Sequence, residues 1–364
     1  MASPKLILGF RFAKTRQFHF QLYTFHFVVK GCFMNLKKII AIFVVMLLLQ
    51  TQNVFARKPP TQPNSYDGAP PMARSMAMGG AGSAIISSHE SYFYNSANLA
   101  YMLGSYIGAA AVILRQSDAS PSQVGAADPS GQGLTGAYVI KDSGAFYWQA
   151  LSDNSISYTS SGGGSHNTQT YINALSFAAG QKSNKGLSIG LNMSYLYGKI
   201  GESGIYAGGT PYANIASGNG FTMDLSFLYP VGRNIYTSVN FQNIAGFMFW
   251  NNYNTEQLPF AIRMGTAYIL GNSILAIDWD KKFYRFGDLE EEHYYMGLEQ
   301  YLSRAICVRA GTAADSNFDP KTMKYTYGLG LKIKTFEIAF AGEQSKIADE
   351  NFLKYMVSLS AFVY

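Results

Sequence analysis

The residues of this 364-residue chain that could do chemistry are few and scattered. Gly186-Leu187-Ser188-Ile189-Gly190 has the spacing of a nucleophile elbow, in which a serine is raised on a strand-to-helix turn beside a general base. The base is missing. Beyond residue 56 the histidines are His89, His166 and His293, none with a serine or carboxylate at a recognised catalytic spacing. Gly79-Gly80-Ala81-Gly82 lacks the closing glycine and lysine of a phosphate loop, and no His, Cys, Asp and Glu cluster has metal-ligand spacing. The expectation is a protein that is not an enzyme, with no catalytic residue, metal or cofactor. What remains is a set of charges at alternate positions of successive segments: Arg263, Asp278, Glu299, Arg309, Lys324, Lys332, Glu337 and Glu343. Opposite charges on neighbouring strands would pair and stiffen the sheet. The competing use, for Arg263 and Arg309, is to steer an anionic headgroup, which suits the guanidinium fork.

The elements that must carry these residues alternate with a period of two. Met323, Tyr325, Tyr327, Leu329, Leu331 and Ile333 face one way, and Lys324, Thr326, Gly328, Gly330, Lys332 and Lys334 the other. No helix keeps that period. The pattern recurs at 187–195 and 221–229, and a long series of such strands, with lipid on one face and lumen on the other, reads as a transmembrane antiparallel β-barrel. Fourteen strands are expected, at 104–114, 134–141, 144–151, 170–181, 186–198, 220–229, 234–243, 260–270, 273–281, 292–302, 305–313, 322–333, 335–343 and 352–364. Their connections alternate between short, as at Asp142-Ser143 and Gly271-Asn272, and long, as at 115–133, 152–169, 199–219 and 244–259. That puts both ends of the barrel sequence on the short-turn, periplasmic side. Gly, Ala and Ser dilute the pattern in the first three strands, so twelve strands stays open. Trp148, Trp250, Trp279 and the many tyrosines fit aromatic girdles at the membrane interfaces.

Residues 34–56 have the parts of a signal peptide: Lys37-Lys38, an eleven-residue apolar run from Ile39 to Leu49, and Val54-Phe55-Ala56 at the cleavage spacing. The run is too short to span a bilayer as a helix, which takes roughly 20 residues. Residues 1–33 read as an upstream extension ahead of a start at Met34. The first 56 residues hold seven basic and no acidic side chains, so the remainder carries 21 basic against 22 acidic and offers no electrostatic case for nucleic acid. After Met34 the sole cysteine is Cys307, which excludes an intramolecular disulfide. A Pro-rich link and a Gly/Ala-rich segment fill 57–103. Because a fourteen-stranded barrel is wider than its own side chains can fill, residues 64–103 are expected to fold into the lumen, tethered at its periplasmic mouth.

The run Met76-Ala77-Met78-Gly79-Gly80-Ala81-Gly82, followed by Asn95-Ser96-Ala97-Asn98-Leu99-Ala100, resembles the amino-terminal hatch of FadL-superfamily outer-membrane proteins, in particular the PorV/PorQ-like branch. Ser96 stands where that motif has Pro and Asn98 where it has Gly. Segments 258–268, 276–280, 297–301, 308–311 and 327–331 follow the family's order. The resemblance implies a fourteen-stranded barrel with a hatch built on Met78, Gly79, Gly80, Ala81, Asn95, Ala97 and Leu99. It implies one of two roles in a bacterial outer membrane. One is passive diffusion of hydrophobic, fatty-acid-like molecules, with a hatch and a break in the wall that releases the ligand sideways. The other is a PorV-like dock for secreted proteins. For the first, Ile85, Ile86, Phe93, Arg263 and Arg309 are the candidate ligand contacts, in an apolar pocket between hatch and wall. The expected partners are outer-membrane lipids, the barrel-assembly machinery through the strand ending at Phe362 and Tyr364, a hydrophobic ligand, and, in the second role, secreted proteins.

Overall fold

The computed structural model describes residues 66, 71–86, 88–119, 131–159, 163–206, 208–284, 290–318, 322–347 and 349–363. The upstream extension, the signal peptide, nearly all of the Pro-rich link and Tyr364 lie outside them. Among the described residues the strands are β1 (Ser105–Ser117), β2 (Gly133–Lys141), β3 (Gly144–Thr159), β4 (Ser165–Lys182), β5 (Ser188–Ile205), β6 (Pro211–Pro230), β7 (Ile235–Trp250), β8 (Glu256–Gln257), β9 (Phe260–Leu270), β10 (Ser273–Phe283), β11 (Glu290–Tyr301), β12 (Ile306–Asp315), β13 (Lys324–Ile333), β14 (Phe336–Ile347) and β15 (Glu350–Val363). Each pairs antiparallel with its sequence neighbour, except that β9 pairs with β7 and the two-residue β8 pairs with β7 alone. β1 and β15 join from Ser105↔Val363 to Ser117↔Phe352 and close the ring at fourteen strands.

The β1–β15 pairing leaves the sheet without a terminal edge strand, which lipid requires. The exposed face carries Met264, Ile277, Leu298, Tyr327 and Leu329, while their strand neighbours Arg263, Asp278, Glu299 and Arg309 are buried. Ser105, Lys141 and Val363 meet at one rim, the rim of the short turns.

The wall is taller on one side. β3 to β7 run 16 to 20 residues, well beyond the roughly 9–11 that cross a bilayer. Most of 152–169 and 199–219, expected as loops, is therefore strand. Cross-strand pairing alone extends these hairpins past the point where lipid stops imposing alternation. The register slips at Ala110/Ala111, Val112/Leu114, Ala150/Ser152 and Met223/Leu225. At the last of these Asn243 takes a φ of 53° and β7 parts from β9 above Gln242. Tyr253 and Leu258 of the following loop fold inward and are buried.

Candidate functional site

Residues 71–101 fill the lower lumen, and nearly all of 71–99 is buried. The segment opens with one helical turn, α1 (Ala73–Ala77), which ends for a local reason. Gly79 takes φ 66°, and the Gly80 and Gly79 amides donate to the Ser75 and Met76 carbonyls at 3.0 Å. This is a Schellman ending, for which glycine is the natural residue. Two 3-10 turns follow, at Ser91–Phe93 and Ser96–Tyr101. Asn95 caps the second, its Oδ1 accepting from the Ala97 amide at 2.9 Å. Ser96, in place of the motif's Pro, donates to Ser226 on β6 at 3.1 Å, so the wall supplies the restraint that a Pro ring would have given.

The hatch is fixed to the wall by hydrogen bonds and two arginine clamps. Asn95 Nδ2 donates to the Phe227 carbonyl at 3.1 Å, and Asn240 Nδ2 to the Tyr94 carbonyl at 2.7 Å. A side chain at Gly190 would collide with the Ser96–Ala97 backbone, so β5 can carry only glycine there. In the first clamp Arg74 of α1 makes a two-pronged pair with Glu299 at 2.7 Å, and Glu299 also accepts from Arg309 at 2.6 Å. Arg309 reaches Glu337 at 3.3 Å. In the second, Arg263 pairs with Asp278 at 2.8 Å and donates to the Gly80 carbonyl. Its guanidinium lies 4.3 Å from the Tyr94 ring and 4.6 Å from that of Tyr295. Asp278 accepts the Gly82 and Ser83 amides at 3.0 Å. Beside the first clamp, burial pushes the Glu90 carboxyl up to about 7, against the pull of Arg74, and pushes His89 down to about 4. His89 stacks on Tyr106 with ring centres 5.2 Å apart.

Above the hatch lies a cavity of about 590 Å³. Phe93 and Arg263 line it, together with Met76, Gly79, Gly80 and Tyr94 of the hatch. Ile85 packs instead with Met78, Ala81 and Ala97 against Leu228, Ala267 and Ile274, near the short-turn rim, and Ile86 flanks that cluster. Leu99 is buried in the cluster of Met72, Met76, Tyr92 and Tyr138. Arg309 is held in the first clamp. The cavity is of mixed polarity, not the apolar pocket expected from the sequence, because inward positions of the wall are largely polar. Tyr66 lines its upper part and donates to Glu256 between β7 and β9, at the long-loop rim. The hatch joins β1 at the short-turn rim, the mouth at which it was expected to be tethered.

The motifs with catalytic spacing do not assemble. Ser188 begins β5 and is paired on both sides, to Lys182 and Leu228, with no strand-to-helix turn. His166 bonds Tyr212 at 2.6 Å and His293 bonds Asp280 at 3.1 Å. Cys307 is a buried free thiol. Arg74 and Tyr66, central to the clamps and the upper lumen, carry no sequence signal of their own.

No family model matches the sequence, and no curated protein matches it. Solved structures do share the fold. The toluene transporter TbuX of Ralstonia pickettii aligns over 82% of this chain and 99% of its own, with a TM-score of 0.58 and 12% identity. The monoaromatic hydrocarbon channel CymD aligns over 82% and 98%, with a TM-score of 0.60 and 12% identity. A FadL homologue of Pseudomonas aeruginosa aligns over 84% and 99%, with a TM-score of 0.55 and 12% identity. At such identity these likenesses define the fold: a closed barrel of the FadL type.

Proposed function

We propose that this chain is an outer-membrane channel for the passive diffusion of small hydrophobic molecules, with residues 71–103 as the hatch that controls passage. One observation carries this reading. A cavity large enough for a small organic molecule sits directly on a clamped luminal segment, in a barrel whose outer face is apolar. The likeness to a toluene transporter and a hydrocarbon channel supports it. Above Gln242 β7 parts from β9 and keeps only β6 and the two residues of β8 as partners, which is where a sideways opening would be sought. The resemblance to the PorV/PorQ-like branch rests on the hatch motif and on the order of the wall segments in the sequence.

A second reading has its own observation. β3 to β6 are longer than a bilayer crossing needs, and on this reading their Gly- and Ser-rich upper parts would be the surface on which a secreted protein docks.

Planar-bilayer conductance of the full chain and of a variant lacking 64–103 tests the channel reading. Insertion of both is confirmed by heat-modifiable migration. A nearly closed full chain and an open variant are expected. Equal, low conductance of the two would refute the hatch as the closing element.

A further inference from the structure

The hatch is not held equally along its length. From 71 to 83 and again from 94 to 96, hydrogen bonds tie it to the wall. Thr135 donates to the Pro71 carbonyl, Thr326 to that of Ala77 and Asn240 to that of Tyr94, and Asp278 accepts the Gly82 and Ser83 amides. Among the described residues, 88–93 make no hydrogen bond or ion pair to the wall, and meet β1 to β3 through rings instead. Three polar atoms of this stretch are buried and unmatched: His89 Nε2, Glu90 Oε2 and Tyr92 Oη. His89 and Glu90 stand 3.9 Å apart, too far for a hydrogen bond. The packing shuts water out of all three, so the docked stretch carries a cost that water removes only when it parts from the wall.

The rings along this seam form an unbroken file. Phe93 and Tyr147, with centres 4.8 Å apart, both line the cavity. Phe93 and Tyr92 lie 6.0 and 5.9 Å from Tyr138, and Tyr138 lies 6.0 Å from His89. His89 in turn stacks on Tyr106 at 5.2 Å, next to Ser105 at the short-turn rim. The file therefore runs from the cavity to that rim, inside the wall and between it and the only stretch of 71–96 that combines ring contacts with unmatched polar atoms at β1 to β3.

Resting on the channel reading above, we propose that this seam, between 88–93 and β1 to β3, is the path by which the passenger leaves the cavity for the short-turn rim, with the Tyr92 ring as its gate. The turn at 88–93 swings aside while the clamped stretches stay docked, and the passenger's surface replaces the ring-to-ring contacts. Water reaches the three unmatched atoms in the same step, which favours the opening. No break in the wall is needed on this path.

Tyr92→Phe keeps the ring and removes an unmatched hydroxyl, so it strengthens the closed seam, whereas damage to the fold would loosen it. Hydrogen exchange of the detergent-purified full chain reads the seam through the Phe93 and Tyr94 amides, bonded to the Glu90 and Ser91 carbonyls at 3.3 and 3.1 Å. In the parent these should exchange at least about tenfold faster than the Met78 and Gly80 amides, and in Tyr92→Phe they should slow by about tenfold while Met78 and Gly80 stay as they were. Passage is followed by uptake of N-phenyl-1-naphthylamine, a neutral dye that fluoresces on leaving water, into cells carrying the full chain. Uptake faster than in cells without the chain is expected, slowed in Tyr92→Phe and quickened both in Tyr92→Ala and in the variant lacking 64–103. If the deletion quickens uptake but Tyr92→Phe takes up dye as fast as the parent, or the seam amides are no more labile than Met78 and Gly80, the seam is overturned and the channel reading stands. Uptake no faster with the full chain or the deletion variant than without either would overturn both.

Discussion

Glu299 is the residue on which hatch docking depends most. It is fully buried between Arg74 of the hatch and Arg309 of the wall, which are themselves 5% and 1% exposed, with contacts of 2.6 to 2.7 Å. Glu299→Ala leaves Arg74 buried with its two-pronged partner gone. Removing one member of a buried pair costs about 3–5 kcal/mol, because the other charge stays desolvated. At about 1.4 kcal/mol per decade, hatch opening should become easier by about two to four powers of ten. Native-state hydrogen exchange reads this directly. The amides of Met78, Gly79 and Gly80, bonded within the hatch at 3.0–3.1 Å, should lose protection by that factor. The ladder amides of β11 and β12, which open only with the barrel, should not change. Glu337→Gln is the control. Its carboxylate touches Arg309 at 3.3 Å but is 24% exposed, so its loss should cost about 1 kcal/mol or less. Hatch amides in Glu299→Ala as protected as in the parent, or no more labile than in Glu337→Gln, would refute the clamp.

Two further outcomes follow from the hatch. Raising the Glu90 carboxyl from 4.5 to about 7 favours its protonated form when docked, so its contribution is present at low pH and fades as pH rises from about 4.5 to 7. Lowering His89 from 6.5 to about 4 acts oppositely, with a contribution that is lost as pH falls from about 6.5 to 4. Each displacement is worth about 3 kcal/mol, so docking in the parent should be nearly flat with pH. His89→Phe should weaken docking as pH rises to 7, and Glu90→Gln should weaken it as pH falls to 4.5. Hydrogen exchange of the hatch amides measures both, and slopes of the same sign in the two variants would refute the pairing. Gly190→Val, which drives a side chain into the Ser96–Ala97 backbone, should cost about 1–3 kcal/mol of docking and raise bilayer conductance. Gly201→Ala, which meets open space, should do neither.

The wall was legible because lipid and lumen impose opposite demands on successive residues. From β9 to β15 the expected strands fall within a few positions of the observed ones. Where lipid ends, so does the signal. The upper parts of β5 and β6, such as Gly201-Glu202-Ser203-Gly204 and Ala213-Asn214-Ile215-Ala216, are held by pairing alone and read as loops. The hatch was legible in its turns, since a glycine at positive φ and an asparagine cap are local requirements. Its partners were not, because Arg74 and Glu299 are 225 residues apart and neither position has a periodicity that betrays the other. For the same reason Phe93 and Ile85 could not be sorted between cavity and core, as a chain of short turns has no repeating face.

The polarity of the lumen follows from the hatch itself. An irregular segment leaves backbone groups without a ladder, and buried groups of that kind must find partners. Asn240 serves the Tyr94 carbonyl, Asp278 the Gly82 and Ser83 amides, and Thr326 the Ala77 carbonyl at 3.1 Å. An inner wall of apolar side chains could not hold such a segment. A polar inward face is therefore what a barrel that holds such a segment needs.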